Sequence, residues 1–317
     1  MIIFSLSAYS QQNDSITVAK RARIAINDKF PTTRAFDLQY EQLGPTDYES
    51  KLFGDVTEKG RIENHSKLKF SSNIKLFTSE SKRFFITNSF RYKYELYESG
   101  DIYEPAFSAD KQKREFHYFA NAVSATYFSS LFKKTILYNA TLTVDANDKE
   151  LQRVKGFVSA TLILKRTANT TTSLGLIVFA DPSSIVPFVP IFSYEHQFAE
   201  SSWTLDVIFP QRIMIKKTIL ENGRISLGSE LNSENFYLNF NDKRLKGMYE
   251  LNQVELKSGL TYEHQLYKNF VGTFKAGVNN VLNSRITESG EKTDKYVIEN
   301  KQDPQFYFNL GFSYSPF

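Results

Sequence analysis

From about residue 33 to its end, the chain alternates apolar and polar side chains, and the alternation persists through unusually long segments. Between Lys67 and Leu76, one face collects Leu68, Phe70, Ile74 and Leu76; the other collects Lys67, Lys69, Ser71, Asn73 and Lys75. Successive side chains of a strand point to opposite faces, so this period makes one face apolar and the other strongly polar. Phe84, Ile86, Phe90, Tyr92, Tyr94 and Leu96 repeat it against Thr87, Ser89, Arg91, Lys93 and Glu95. Val154, Val158 and Leu162 do so against Lys155, Ser159 and Lys165, and Val254, Leu256 and Leu260 against Glu255 and Lys257. Soluble strands run to about five or six residues. A tilted strand needs about nine to eleven to cross a hydrocarbon layer, and most segments here are of that longer kind.

The pattern predicts fourteen strands, at about 33–42, 61–77, 84–97, 114–128, 134–146, 153–166, 172–180, 190–198, 202–209, 211–219, 224–232, 248–264, 268–281 and 304–316. Short connections such as 78–83, 166–171 and 265–269 alternate with longer polar links at 43–60, 98–113, 181–190, 233–247 and 282–303. Outer-membrane barrels have short turns on the periplasmic side and longer loops outside. The expected fold is therefore all-β: an antiparallel up-and-down transmembrane β-barrel with periplasmic termini. Pro210 cannot donate to a ladder, so it marks a turn, or else a kink that lowers the count to twelve.

Composition removes other classes. No run approaches the roughly 18 apolar residues of a spanning helix, and charged residues make up 23%. The chain has no cysteine, which excludes disulfides and thiolate chemistry. Net charge is +4 with lysine and arginine spread evenly, whereas a nucleic-acid binder concentrates them. Residues 1–10 end in Ala8-Tyr9-Ser10, a small-x-small pattern that fits a truncated signal peptide. Residues 11–32 then form a periplasmic lead-in, and 33–317 the barrel.

The expected lumen-lining set is Lys67, Lys69, Lys75, Arg91, Lys93, Glu95, Lys155, Lys165, Glu255 and Lys257, because ionisable groups at membrane depth must face water or one another. They either line a conductive channel or pair across a closed interior. Tyr194-Glu195-His196 and Tyr262-Glu263-His264 recur where strands enter short turns. Tyr194, His196, Tyr262 and His264 are expected to form an aromatic girdle at the membrane boundary rather than a metal site. Of the four histidines, His117 is the best placed to act as a base in a lipid-modifying enzyme, yet no serine stands in an elbow motif. The acidic groups Glu98, Asp101, Glu104 and Asp145, Asn147, Asp148, Glu150 lack the spacing of a calcium loop and are expected to be solvated loop charge.

Ala180-Asp181-Pro182, the segment from Trp203 to Ile213, Asn222-Gly223-Arg224-Ile225-Ser226-Leu227-Gly228 and the ending from Gly311 to Phe317 are similar to an uncharacterised family of outer-membrane β-barrels found mainly in Bacteroidota. The resemblance implies the barrel and its location, and no activity. Phe312, Tyr314 and the terminal Phe317 resemble the aromatic signal read by the barrel-assembly machinery, although Pro316 shifts Phe317 out of parity. Outer-membrane lipid and that machinery are the expected partners, small solutes the expected cargo, and no cofactor or catalytic residue is expected. The function expected is a non-enzymatic channel or structural envelope protein, with a lipid-modifying enzyme or a soluble β-sandwich as rivals.

Overall fold

Apolar side chains lie outside and charged ones inside, the reverse of a soluble protein. Val154, Val158, Leu176, Ile213, Leu227 and Leu310 are exposed, while Lys67, Glu95, Glu250 and Glu255 are among the largest fully buried side chains. The computed structural model describes residues 30, 33–104, 113–181, 184, 186–199, 201–241 and 244–316, without the side chains of 101–104.

The strand segments are β1 (Phe36–Leu43), β2 (Thr46–Leu52), β3 (Asp55–Thr78), β4 (Phe84–Glu104), β5 (Lys113–Leu131), β6 (Lys134–Ala146), β7 (Leu151–Arg166) and β8 (Thr170–Ala180). They continue with β9 (Phe188–Gln197), β10 (Trp203–Phe209), β11 (Arg212–Ile219), β12 (Gly223–Asn241), β13 (Lys246–Tyr267), β14 (Phe270–Glu288), β15 (Ile298–Gln302) and β16 (Gln305–Tyr314). Sequence neighbours pair antiparallel from β3 to β14, and β1 closes the ring by pairing with both β3 and β16.

Two staves of the barrel are broken. β1 and β2 both pair with β3 and are separated only by Gly44-Pro45; β15 and β16 are separated by Asp303-Pro304. Proline lacks the donor that an unbroken ladder needs. Counting each pair as one stave turns the sixteen-stranded sheet into a fourteen-stave barrel. Phe209-Pro210 is a cis peptide in the tight turn between β10 and β11, so Pro210 separates two strands and the count of twelve falls away.

The rim opposite the short turns is uneven. β10 and β11 have 7 and 8 residues, while β3, β4 and β13 have 24, 21 and 22. The links expected over 43–60, 233–247 and 282–303 are largely strand: β2 and the start of β3, the facing ends of β12 and β13, and the end of β14 with β15. Their sequence hid this because an apolar face and a polar face are missing. Tyr249 to Gln253 are all buried, so both faces of β13 are covered there and period two loses its meaning.

Candidate functional site

The inward face of β3, β4 and β13 brings charged residues together across the lumen. Lys67 Nζ lies 2.6 Å from Glu255 Oε1 and 2.9 Å from Glu95 Oε1. His65 Nε2 is 2.6 Å from the same Glu95 oxygen, and the Tyr97 hydroxyl donates to it at 2.9 Å. Lys257 bridges Glu41 on β1 and Glu255, at 3.3 Å from the latter. Glu234 on β12 takes both Lys69 and Lys93, the second at 2.9 Å. Buried charges persist only when paired and hydrogen-bonded, and here the partners come both from the adjacent strand, as Lys67 to Glu95, and from across the ring, as Lys93 to Glu234.

Above this layer, on the long-loop side, the upper half of β12 leans inward. Its Cα atoms come within 8 Å of β5 across the lumen. Phe236, 1% exposed, packs on Phe116 at a centroid distance of 5.7 Å and on Tyr118 at 6.4 Å. It joins a cluster of Leu52, Leu245, Tyr249, Leu251, Ile286 and Ile298. The neighbouring Tyr237 points the other way, its hydroxyl donating to Asp145 at 3.2 Å. Beside it Lys155 contacts Asp145 at 3.0 Å and Glu250 at 2.9 Å, and Arg153 contacts Glu250 and Asp181, each at 3.1 Å. Two adjacent aromatics thus bury on opposite faces of one strand.

Below the charged layer, on the short-turn side, lies a cavity of about 430 Å³. Its walls carry Arg34, Lys69, Arg91, Lys93, Arg212, Lys216, Arg224 and Lys275 against Asp37, Glu230, Glu234 and Glu263. The chain crosses its mouth: Arg34 donates to Ser313 at 2.5 Å and Thr273 at 3.1 Å and pairs with Glu263, while Asn73 donates to the Arg34 carbonyl. Phe30 is buried against the Arg224 guanidinium at 4.9 Å.

The other expected residues fall in three places. Lys155 and Arg91 face the lumen as described, whereas Lys75 is exposed near the turn, 5.6 Å from the Phe85 ring. Lys165 is a correction. A bulge beyond Ile163 shifts the register so that Lys165 sits opposite Thr172, which itself pairs with Tyr194, and the inward parity is lost.

Tyr194 and His196 stack at 6.0 Å near the end of β9, with Thr170 Oγ1 2.8 Å from His196 Nδ1. Tyr262 and His264 sit likewise beside Tyr267-Lys268, joined at 2.9 Å. Phe312 and Tyr314 flank Phe270 at 5.4 and 4.8 Å; Phe317 and residues 1–10 lie outside the described residues, as do 11–29 of the lead-in. His117 sits among rings, with the Tyr92 hydroxyl 3.0 Å from its Nδ1 and the Tyr94 ring at 5.0 Å. Asp145 is a second correction: it is fully buried on Lys155 rather than solvated. Asn147 instead caps its own turn through the amides of Lys149 and Glu150. Among the described residues no group of three or more His, Asp or Glu could hold a metal ion.

Alternation finds inward cations and two of their partners, Glu95 and Glu255, but misses the other partners and the pairing itself. Glu41, Glu234, Glu250, Glu263, Asp206 and His65 went unmarked because they lie in segments read as loop, or carry no sign of which cation they meet.

Residues 111–315 match the model of a family described as a domain of unknown function, DUF6268. No curated protein sequence matches. Among solved structures, an outer membrane channel from Pseudomonas putida F1 is 10% identical, with 90% of this chain and 97% of that one covered and a TM-score of 0.38. The transport unit of the autotransporter AIDA-I from Escherichia coli is 11% identical, with 92% of each covered and a TM-score of 0.32. The outer membrane protease OmpT from the same organism is 8% identical, with 89% and 97% covered and a TM-score of 0.29. At such scores the likeness carries no function across.

Proposed function

The chain belongs to the DUF6268 family, a domain of unknown function, and from its own lumen we propose that it is a non-enzymatic outer-membrane channel held here in a closed state. One observation carries this: leucines, valines and phenylalanines cover the outside of a closed barrel, while Lys67, Glu95, Glu250 and Glu255 are among its most buried side chains. Only a hydrocarbon surround makes that arrangement favourable, and a closed ring leaves no unpaired sheet edge in it. Short turns and the ends of β1 and β16 near Ala35 and Tyr314 share one side, which we assign to the periplasm. The aromatic pairs at Tyr194 and Tyr262 would then mark the inner boundary and the rings around His117 the outer one. Lipid is the permanent partner, and the barrel-assembly machinery a transient one, with Phe312 and Tyr314 in its signal.

The histidines lend no support to the rival reading of a serine-dependent lipid hydrolase. Their partners are Glu95, Tyr92, Thr170 and Tyr262, and among the described residues no serine is activated by any of them. The test is reconstitution of the full chain into planar bilayers and liposomes. Membrane insertion, heat-modifiable gel migration and rare openings in a mostly silent bilayer are expected. A folded protein that stays monomeric without detergent would overturn the membrane reading, and one that inserts but never opens would overturn the channel.

A further inference from the structure

The cavity below the charged layer has too many cations for its carboxylates. Glu234 serves both Lys69 and Lys93, and Asp206 serves both Arg212 and Lys216. Among the described residues Lys275 has one ion pair, with Glu230 at 3.9 Å, and a longer-range interaction with Asp37. Among the described residues Arg91 makes no ion pair within 4.0 Å and no hydrogen bond, and it lines the same cavity, with Asp145 as a more distant counter-charge. Cations withdrawn from bulk water need counter-charge, and the enclosed ones here share what the protein provides.

We propose that this lower lumen is a binding site for a small multivalent oxyanion, of the phosphate or phosphate-ester class. The Arg91 guanidinium would grip it through the planar fork that matches phosphate oxygens two at a time. Lys93, two residues along β4, and Lys275, from β14 on another part of the wall, would supply point charges. A volume of about 430 Å³ fits a small ligand and leaves room for water. Glu234 shapes the ceiling, so an anion there competes with it for Lys69 and Lys93. That links occupancy to the layer that closes the lumen. The site deepens the channel reading, and rests on it only for the route by which the anion arrives.

The experiment is calorimetric titration and thermal unfolding of the full chain in detergent with inorganic phosphate and pyrophosphate, at constant ionic strength set by chloride. Saturable binding is expected, tighter for pyrophosphate. Arg91→Gln and Lys275→Gln should each weaken it about tenfold, the worth of a charge-assisted contact. Lys75→Gln, outside the cavity, should leave it unchanged, and Lys275→Gln decides the matter if Arg91→Gln fails to fold. No saturable binding by folded wild type overturns the site, as does wild-type affinity in both cavity variants. An equal effect of Lys75→Gln also overturns it, showing non-specific charge screening. Loss of the site with bilayer openings intact leaves the channel standing, and anion binding without openings leaves the site standing alone.

Discussion

Lys67 and Glu255 are 188 residues apart in the chain, yet their side chains meet at 2.6 Å with 1% and 0% of their surface exposed. The contact ties β3 to β13 across the lumen. Glu95 meets the same ammonium at 2.9 Å from β4, so one lysine anchors two carboxylates.

Lys67→Met should therefore destabilise the barrel by about 3–5 kcal/mol, because it leaves buried charge behind. The measure is the guanidinium unfolding midpoint in detergent. Lys67→Met combined with Glu255→Leu should cost less than Lys67→Met alone. An unchanged midpoint in the single variant would show that water, not Lys67, neutralises these carboxylates.

Phe236→Ala removes the ring that seats on Phe116 and Tyr118 where β12 leans towards β5. A loss of about 3–5 kcal/mol is expected for a fully buried phenylalanine. The same variant should open more often in planar bilayers than wild type. Equal silence would mean that the charged layer closes the lumen without the aromatic one.

Gly228, Gly259 and Gly277 sit opposite one another across β12, β13 and β14. A Cβ on Gly259 would come within 2.2 Å of the Ala276 carbonyl oxygen, backbone that cannot turn aside. Gly259→Ala should cost about 1–3 kcal/mol through overpacking and lower the yield of heat-modifiable barrel. Gly156→Ala, whose Cβ would meet its nearest atom at 3.4 Å, should refold like wild type. Equal yields from both would remove the close approach as a requirement.

Trp203 is the single tryptophan of the chain, 37% exposed at the short-turn end of β10, with the Lys217 ammonium 5.2 Å from its ring. Interfacial tryptophans sit at the headgroup level. In liposomes, bromines placed high on the acyl chain should quench its fluorescence more than bromines near the bilayer centre. The opposite order would place the boundary elsewhere on the barrel.

Much of this barrel was legible locally. Leu68, Phe70 and Ile74 against Lys67, Lys69 and Lys75 give both a strand and its two faces without any knowledge of neighbours. Lys165 escaped the same logic because one bulged residue beyond Ile163 reversed the parity. Ser233-Glu234-Asn235-Phe236-Tyr237 read as a polar link because adjacent aromatics break the alternation. In the fold both aromatics pack on Tyr118, while Phe116 meets Phe236 and Asp145 meets Tyr237.

Side-chain alternation depends only on residues two apart, so the chain alone yields most strands, most of their faces and a count of fourteen or twelve. The turn at Pro210 in the folded barrel selects fourteen. Which inward charge meets which came only from the fold. Lys67 chooses Glu255, and Lys93 chooses Glu234, through the closure of the ring and the inward lean of β12. Such pairing depends on where strands far apart in the chain come to rest, and a period of two holds no record of that distance.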